Sequence, residues 1–249
     1  MMKDALRDIS ENLRALVRNW QAMLLFFATY IALLASIGLF VTTREATIRQ
    51  VLLSFALLVA APALFFLLQA MCVGYAETTS AVALLKRSLK GFWKLMLFSI
   101  PVMLIALAVY LLMGKMEASM AQTGDAAGAQ WPRVIFSTVR LLLFGFVMPL
   151  GFVHLWIALM REDVRAVMRG IGTILRRAFA PRSVVTYAFG FVLFGLLPYV
   201  LLNTRTPVGR EWLELSLLIA RVGLALCLML LGWAVTVGAL QKGMRSEEA

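Results

Sequence analysis

Charged residues bound six uncharged stretches of the chain: residues 19–43, 50–76, 95–114, 141–160, 183–204 and 222–241. The stretches are 25, 27, 20, 20, 22 and 20 residues long. A hydrocarbon layer roughly 30 Å thick is crossed by about 20 apolar residues in an α-helix, and a buried soluble helix rarely avoids charge for that length. The pattern predicts six transmembrane helices. The two longest segments between them are Lys115 to Arg140 and Arg161 to Arg182, both too short for an independent soluble fold. Residues 1–249 are therefore expected to form a single polytopic membrane domain, all-α in class.

The segments that precede the odd-numbered spans have a second, helical period. In residues 161–182, Val164, Val167, Met168, Ile171, Ile174, Leu175, Ala178 and Phe179 form one stripe, while Arg165, Arg169, Arg176 and Arg177 lie largely off it. In residues 77–94, Val82, Leu85, Leu89 and Phe92 face away from Lys86, Lys90 and Lys94, with Thr78, Thr79 and Ser80 as candidate caps. Near the N-terminus, Leu6, Ile9, Leu13, Leu16, Val17 and Trp20 oppose Lys3, Arg7, Arg14 and Arg18. Each pattern is that of an amphipathic interfacial helix lying on the membrane. Each also runs directly into a span, at the strings NLRALVRNWQAMLLF, LLKRSLKGFWKLMLF and ILRRAFAPRSVVTYAF. Trp20, Trp93 and Tyr187 are placed there as interface anchors. The expected architecture is a threefold repeat of helix plus hairpin, in units of about 1–76, 77–160 and 161–241.

Charge sets an expected orientation. If the spans alternate, the side holding both termini carries 16 Lys and Arg and the other side carries 8. By the positive-inside rule both termini are cytoplasmic. The net charge of +11 then serves topology and attraction to anionic headgroups. Nucleic-acid binding would want a basic face on a soluble module with surface aromatics, and the sequence offers neither. Composition agrees: 62% of residues are apolar, 15% are charged, and mean hydropathy is +0.88. Cys72 and Cys227 lie inside apolar runs without ligand partners and read as small apolar residues. The N-terminal segment is too long and too mixed in charge for a secretory signal, so the first span is expected to be an uncleaved anchor.

The string TTSAVALLKRSLKGFWKLMLF, residues 78–98, is a basic amphipathic helix that ends in an aromatic pair and passes straight into a span. In this and in its layout the chain resembles bacterial six-span inner-membrane proteins, namely the membrane domain attached to some glycerophosphodiester phosphodiesterases and related stand-alone proteins of unknown function. The resemblance implies a six-span fold in a bacterial inner membrane. It carries over no catalytic residue, because no phosphodiesterase barrel accompanies the spans.

Chemistry is sparse. His154 is the sole histidine, seven residues before Arg161. A proton relay there would want a carboxylate partner, and the six runs hold none, so a neutral imidazole hydrogen-bonded between helices is expected. Pro62, Pro101, Pro149 and Pro198 fall within four spans, where proline kinks the helix and the freed carbonyl finds another donor. Counting back about 20 residues from the inner ends of spans four and six places Arg140 and Arg221 at one depth, the outer hydrocarbon boundary, with residues 210–220 as an interfacial turn. Arg133 with Arg140, and Glu214 with Arg221, are seven residues apart and so share helix faces. These four are the candidates for gripping a lipid headgroup; the plainer reading is snorkelling arginines paired with Glu211 and Glu214. Ala28, Ala32 and Ser36, and Ala234 with Gly238, form small-residue faces for close helix packing. Residues 114–132 read as a small-residue linker.

The sequence contains no phosphate-binding glycine loop, HExxH, GxSxG or cysteine cluster, so neither catalysis nor a metal or cofactor is expected. The leading expectation is a non-enzymatic inner-membrane protein in lipid handling or envelope organisation, with anionic lipid as partner. Its basic face is Lys86, Lys90, Lys94, Arg165, Arg169, Arg176 and Arg177. A permease subunit paired with a separate ATPase, or an accessory subunit of a larger membrane complex, also fits the layout.

Overall fold

A computed structural model describes residues 2–44, 46–78, 80–123, 130–204 and 211–248. Among the described residues all regular structure is helical. Six helical segments are long and apolar enough to cross a membrane: Trp20–Thr42, Ile48–Gly74, Ala81–Ser119, Val134–Arg161, Pro181–Asn203 and Glu211–Arg245. The six uncharged runs fall within these spans, apart from a few residues at the ends of the first, second and fifth.

Helix α1 (Met2–Arg18) stops before Asn19, whose Oδ1 accepts from the Ala22 amide at 3.2 Å and so caps α2 (Trp20–Thr42). Helix α3 (Ile48–Gly74) starts with Thr47 capping Gln50 at 3.3 Å and ends in a 3-10 turn, Tyr75–Glu77. Helix α4 (Ala81–Thr123) is unbroken for 43 residues, with Pro101 inside it. At 1.5 Å per residue it is about 65 Å long, twice the hydrocarbon thickness.

This corrects the reading of residues 77–94 as a separate helix lying on the membrane. The segment from Ala81 onward is the first part of the third span's own helix. Nothing at the junction interrupts it: where the first unit has Asn19 and the third has Pro181, the second has neither proline nor asparagine between Ser88 and Lys94. The linker reading of residues 114–132 is corrected in part as well, since α4 continues to Thr123; residues 124–129 lie outside the described residues.

The fourth span is α5 (Gln130–Leu142), a π-helical turn (Leu143–Val147) and α6 (Met148–Arg161). Helix α7 (Val164–Ala178) follows. The fifth span repeats the device: α8 (Pro181–Phe191), a π-helical turn (Val192–Leu196) and α9 (Leu197–Asn203). In both spans the five-residue turn is followed by one residue and then a proline, Pro149 or Pro198. Proline has no N–H for the carbonyl four residues back, and the wider turn absorbs the local misfit. Pro62 and Pro101, by contrast, sit inside continuous α-helix.

The last helix, α10 (Glu211–Glu248), is also continuous. The expected interfacial turn over residues 210–220 is therefore helix from Glu211 onward, and Arg221 lies within it. The bundle core is aromatic and aliphatic, with Phe26, Phe66, Met71, Leu150, Ile157 and Tyr187 buried. Large apolar side chains such as Leu104, Ile105 and Ile219 are more than half exposed, an arrangement suited to hydrocarbon rather than water. Near the C-terminus Lys242 of α10 meets Asp8 of α1 at 3.1 Å, so both termini lie at one end of the bundle.

Candidate functional site

Two carboxylates organise the end of the bundle that holds the termini. Asp8 is 5% exposed and binds Arg182 of α8 at 2.7 Å and Lys242 of α10 at 3.1 Å. One helical turn along, Asn12 accepts from the Tyr75 hydroxyl at 3.2 Å. Gly238 of α10 passes against this pair so closely that a Cβ would lie 2.2 Å from the tyrosine oxygen. Glu77 collects ligands from three helices: Arg87 of α4, Gln241 at 2.7 Å and Arg245 of α10, with Arg161 of α6 at 3.7 Å. Partial burial pushes the Glu77 carboxyl up, but Arg87 and Arg245 outweigh it and hold the group below its ordinary value.

Helix α7 divides into three sectors when its residues are laid out at 3.6 per turn. Val167, Ile174 and Ala178 are buried against the bundle; Val164, Met168, Leu175 and Phe179 are exposed; Arg165, Arg169 and Arg176 are exposed on the next sector round. Helix α1 has the same order: Ala5, Asp8, Ile9, Asn12 and Leu16 are buried, Met2, Leu6, Leu13 and Val17 are exposed, and Lys3, Arg7, Arg14 and Arg18 follow. The apolar stripe expected from sequence thus splits in two, one part on the protein and one part uncovered. On α4, Lys86 and Lys90 are exposed, and Lys94 lies 4.0 Å from Asp163. Arg177 is half-buried.

At the opposite end Arg140 binds Glu117 of α4 at 3.0 Å and stands over the Tyr110 ring, 5.3 Å from its centroid. Arg221 donates to the Thr204 carbonyl. Sequence reasoning offered Glu211 and Glu214 as partners; Arg140 has Glu117 instead, which the extension of α4 brings alongside α5. Glu214 is exposed, and the Arg133 side chain lies outside the described residues. The two arginines are thus held by different partners on different helices.

Mid-bundle, His154 is fully buried, its Nδ1 2.9 Å from the Leu150 carbonyl and its Nε2 3.3 Å from the Ser183 hydroxyl. A carbonyl only accepts, so in the neutral ring Nδ1 carries the proton and Nε2 accepts from serine. The histidine joins α6 to α8, the interhelical contact expected from the sequence. Cys72 and Cys227 are free thiols, and among the described residues no group of three or more His, Cys, Asp or Glu is placed to hold a metal.

All six spans contribute to a cavity of about 570 Å³. Its wall is largely aromatic, with Phe65, Phe152, Trp156, Phe191, Phe194 and Trp233, and the π-helical turn of the fourth span adds Phe144 and Gly145. Besides the indoles of Trp156 and Trp233, three side chains bring polar atoms to it. The Tyr187 hydroxyl donates to the Gly145 carbonyl at 3.1 Å, and Gln69, 4% exposed, accepts from the Trp233 indole at 2.7 Å. Tyr30 is the third. Sequence reasoning searched the runs for charge and passed over Gln69; the available signal was a primary amide deep in the apolar run 50–76, where amides are costly unless bonded.

The fold defines a multi-pass α-helical membrane protein with an aromatic cavity between its spans. Compared with protein-family models, curated proteins and solved structures, the chain matches none.

Proposed function

We propose that the protein is a non-enzymatic lipid-handling or envelope-organising protein of a bacterial inner membrane, with both termini cytoplasmic, docked on anionic lipid through its basic helices. The observation that carries this reading is the sector order shared by α1 and α7. Each has an anchoring face on the bundle, an uncovered apolar face and, beside it, a row of cations. That is the arrangement a helix needs to sit at a headgroup boundary, with apolar side chains inserted and Lys or Arg at the phosphates. The shared order also supports the first and third units as copies of one design.

Each such cation contributes about 1 kcal/mol near an anionic surface, so three on α7 change lipid preference by up to two orders of magnitude. The test is lipid mass spectrometry of protein purified in mild detergent at low and high salt. Enrichment of anionic phospholipid should fall at high salt and fall again in Arg165→Gln/Arg169→Gln/Arg176→Gln. Unchanged lipid composition in both comparisons would refute the reading.

A second reading, an accessory subunit of a larger membrane complex, has one observation in its favour. Ala28 and Ala32 are exposed on α2, and a Cβ on Gly38 would meet nothing within 4 Å. A small-residue face left open is where another helix packs closely. Native mass spectrometry of gently extracted protein separates the two readings, since stoichiometric protein partners favour this one.

A further inference from the structure

We propose that the cavity between the six spans binds a neutral amphiphile that carries a carbonyl group, with the Gln69 side-chain amide donating to that carbonyl. A volume of about 570 Å³ falls in the range of about 300 to 1,000 Å³ typical of small-molecule sites. The occupant must be uncharged. Among the described residues no Asp, Glu, Lys, Arg or His lines the cavity, so a phosphate or carboxylate would enter low dielectric without a counter-charge.

Gln69 supplies the specificity. An indole N–H can only donate, so the Trp233 bond at 2.7 Å fixes the amide with Oε1 towards the indole and its NH₂ directed elsewhere. None of the hydrogen bonds among the described residues uses that NH₂, although the side chain is 96% buried and lines the cavity. An amide donor that opens only onto an apolar cavity is poorly satisfied, and a carbonyl oxygen there supplies the missing acceptor. Water is a poor substitute in so apolar a space, since it needs two to four polar partners. The Tyr187 hydroxyl is already taken by Gly145, whereas the Tyr30 hydroxyl has no partner among the described hydrogen bonds and gives a second donor. Entry is sideways from the bilayer. Met103 of α4 and Met229 of α10 line the cavity and are 40% and 41% exposed, and methionine is the residue that yields most readily.

This inference is independent of the anionic surface docking above: one concerns a neutral ligand between the spans, the other phosphates at α1 and α7. The experiment uses the full-length protein in detergent micelles and three photoreactive diazirine probes of equal chain length: a fatty methyl ester, the free acid and the plain hydrocarbon. The ester should label peptides bearing Met103, Phe152 and Met229 about five- to tenfold more than the other two, the size of one hydrogen bond. Gln69→Leu combined with Trp233→Phe removes both hydrogen-bonding partners together and should bring the ester most of the way down to the hydrocarbon, with only the Tyr30 hydroxyl left to donate. The wild-type comparison needs no variant and decides the matter even if that double variant does not fold. Excess unlabelled fatty ester or an alkyl benzoquinone should displace the label, and which does so better separates an acyl lipid from a ring dione. Equal labelling by the hydrocarbon, stronger labelling by the acid, or displacement by neither competitor would overturn the proposal.

Discussion

The Tyr187 hydroxyl donates to the Gly145 carbonyl at 3.1 Å, and Gly145 is four residues before Pro149, the residue that has no N–H to give it. A side chain of the fifth span thus repairs a hydrogen bond that the fourth span cannot make for itself, in a segment already widened into a π-helical turn. Tyr187→Phe keeps the packing of the ring against Phe146 and Phe194 and removes only this bond. The expected loss is about 1–2 kcal/mol, because Pro149 has no N–H to replace the lost donor. Thermal unfolding in detergent measures it.

Glu77 governs the acid stability of the end that holds the termini. Its folded carboxyl is held below the ordinary value of 4.5, so its contribution is fully present above 4.5 and is lost as pH falls through the lower folded value. Glu77→Gln removes the charge and leaves Arg87, Arg161 and Arg245 facing one another. It should cost roughly 1–3 kcal/mol near neutral pH, less than a fully buried pair because the arginines are part-exposed. Melting temperature against pH for wild type and variant should converge towards the acid end; parallel curves would assign the pH dependence elsewhere.

Gly238→Ala places a methyl 2.2 Å from the Tyr75 oxygen and 2.7 Å from Asn12 Oδ1, where the α1 contact is made. The variant should lose about 1–3 kcal/mol and expose α1 to protease. Gly223→Ala in the same helix is the control, since a Cβ there meets nothing within 4 Å; it should be neutral or stabilising by up to about 1 kcal/mol.

Arg140 and Arg221 test a headgroup contact at the far end. If either holds a lipid phosphate, Arg140→Gln/Arg221→Gln protein should retain less co-purified phospholipid than wild type. Because Glu117 already neutralises Arg140 and Arg221 is engaged by a carbonyl, the lipid difference is expected to be below twofold, with a stability loss of about 1 kcal/mol from the broken Arg140–Glu117 pair.

Orientation is read from accessibility. A reporter fused after residue 124 should face outward and one after residue 170 inward; the reverse would overturn the charge argument.

The sequence made the spans plain because hydrocarbon excludes charge over a fixed length, and the six uncharged runs obey that one rule. Helices α1 and α7 were legible for a similar reason, a helical period bounded by Asn19 and by Ala180 with Pro181. The same rule misled at two places. Arg221 and Lys115 end apolar runs without ending helices, because Leu213 to Ala220 and Met116 to Ser119 continue as good helix formers. The polar network was out of reach for another reason. Asp8 with Arg182, and Glu77 with Arg245, are 174 and 168 residues apart, and no local pattern announces such a pair.

The docking of α1 has a consequence for the order of assembly. Asp8 is synthesised well before Arg182 and Lys242, the cations that bind it. During insertion α1 therefore waits with its carboxylate unpaired until Arg182 emerges at the start of the fifth span. Only the sixth span, with Lys242 at its inner end, completes the berth, so α1 is secured last, and a chain truncated before Lys242 leaves that clasp half closed.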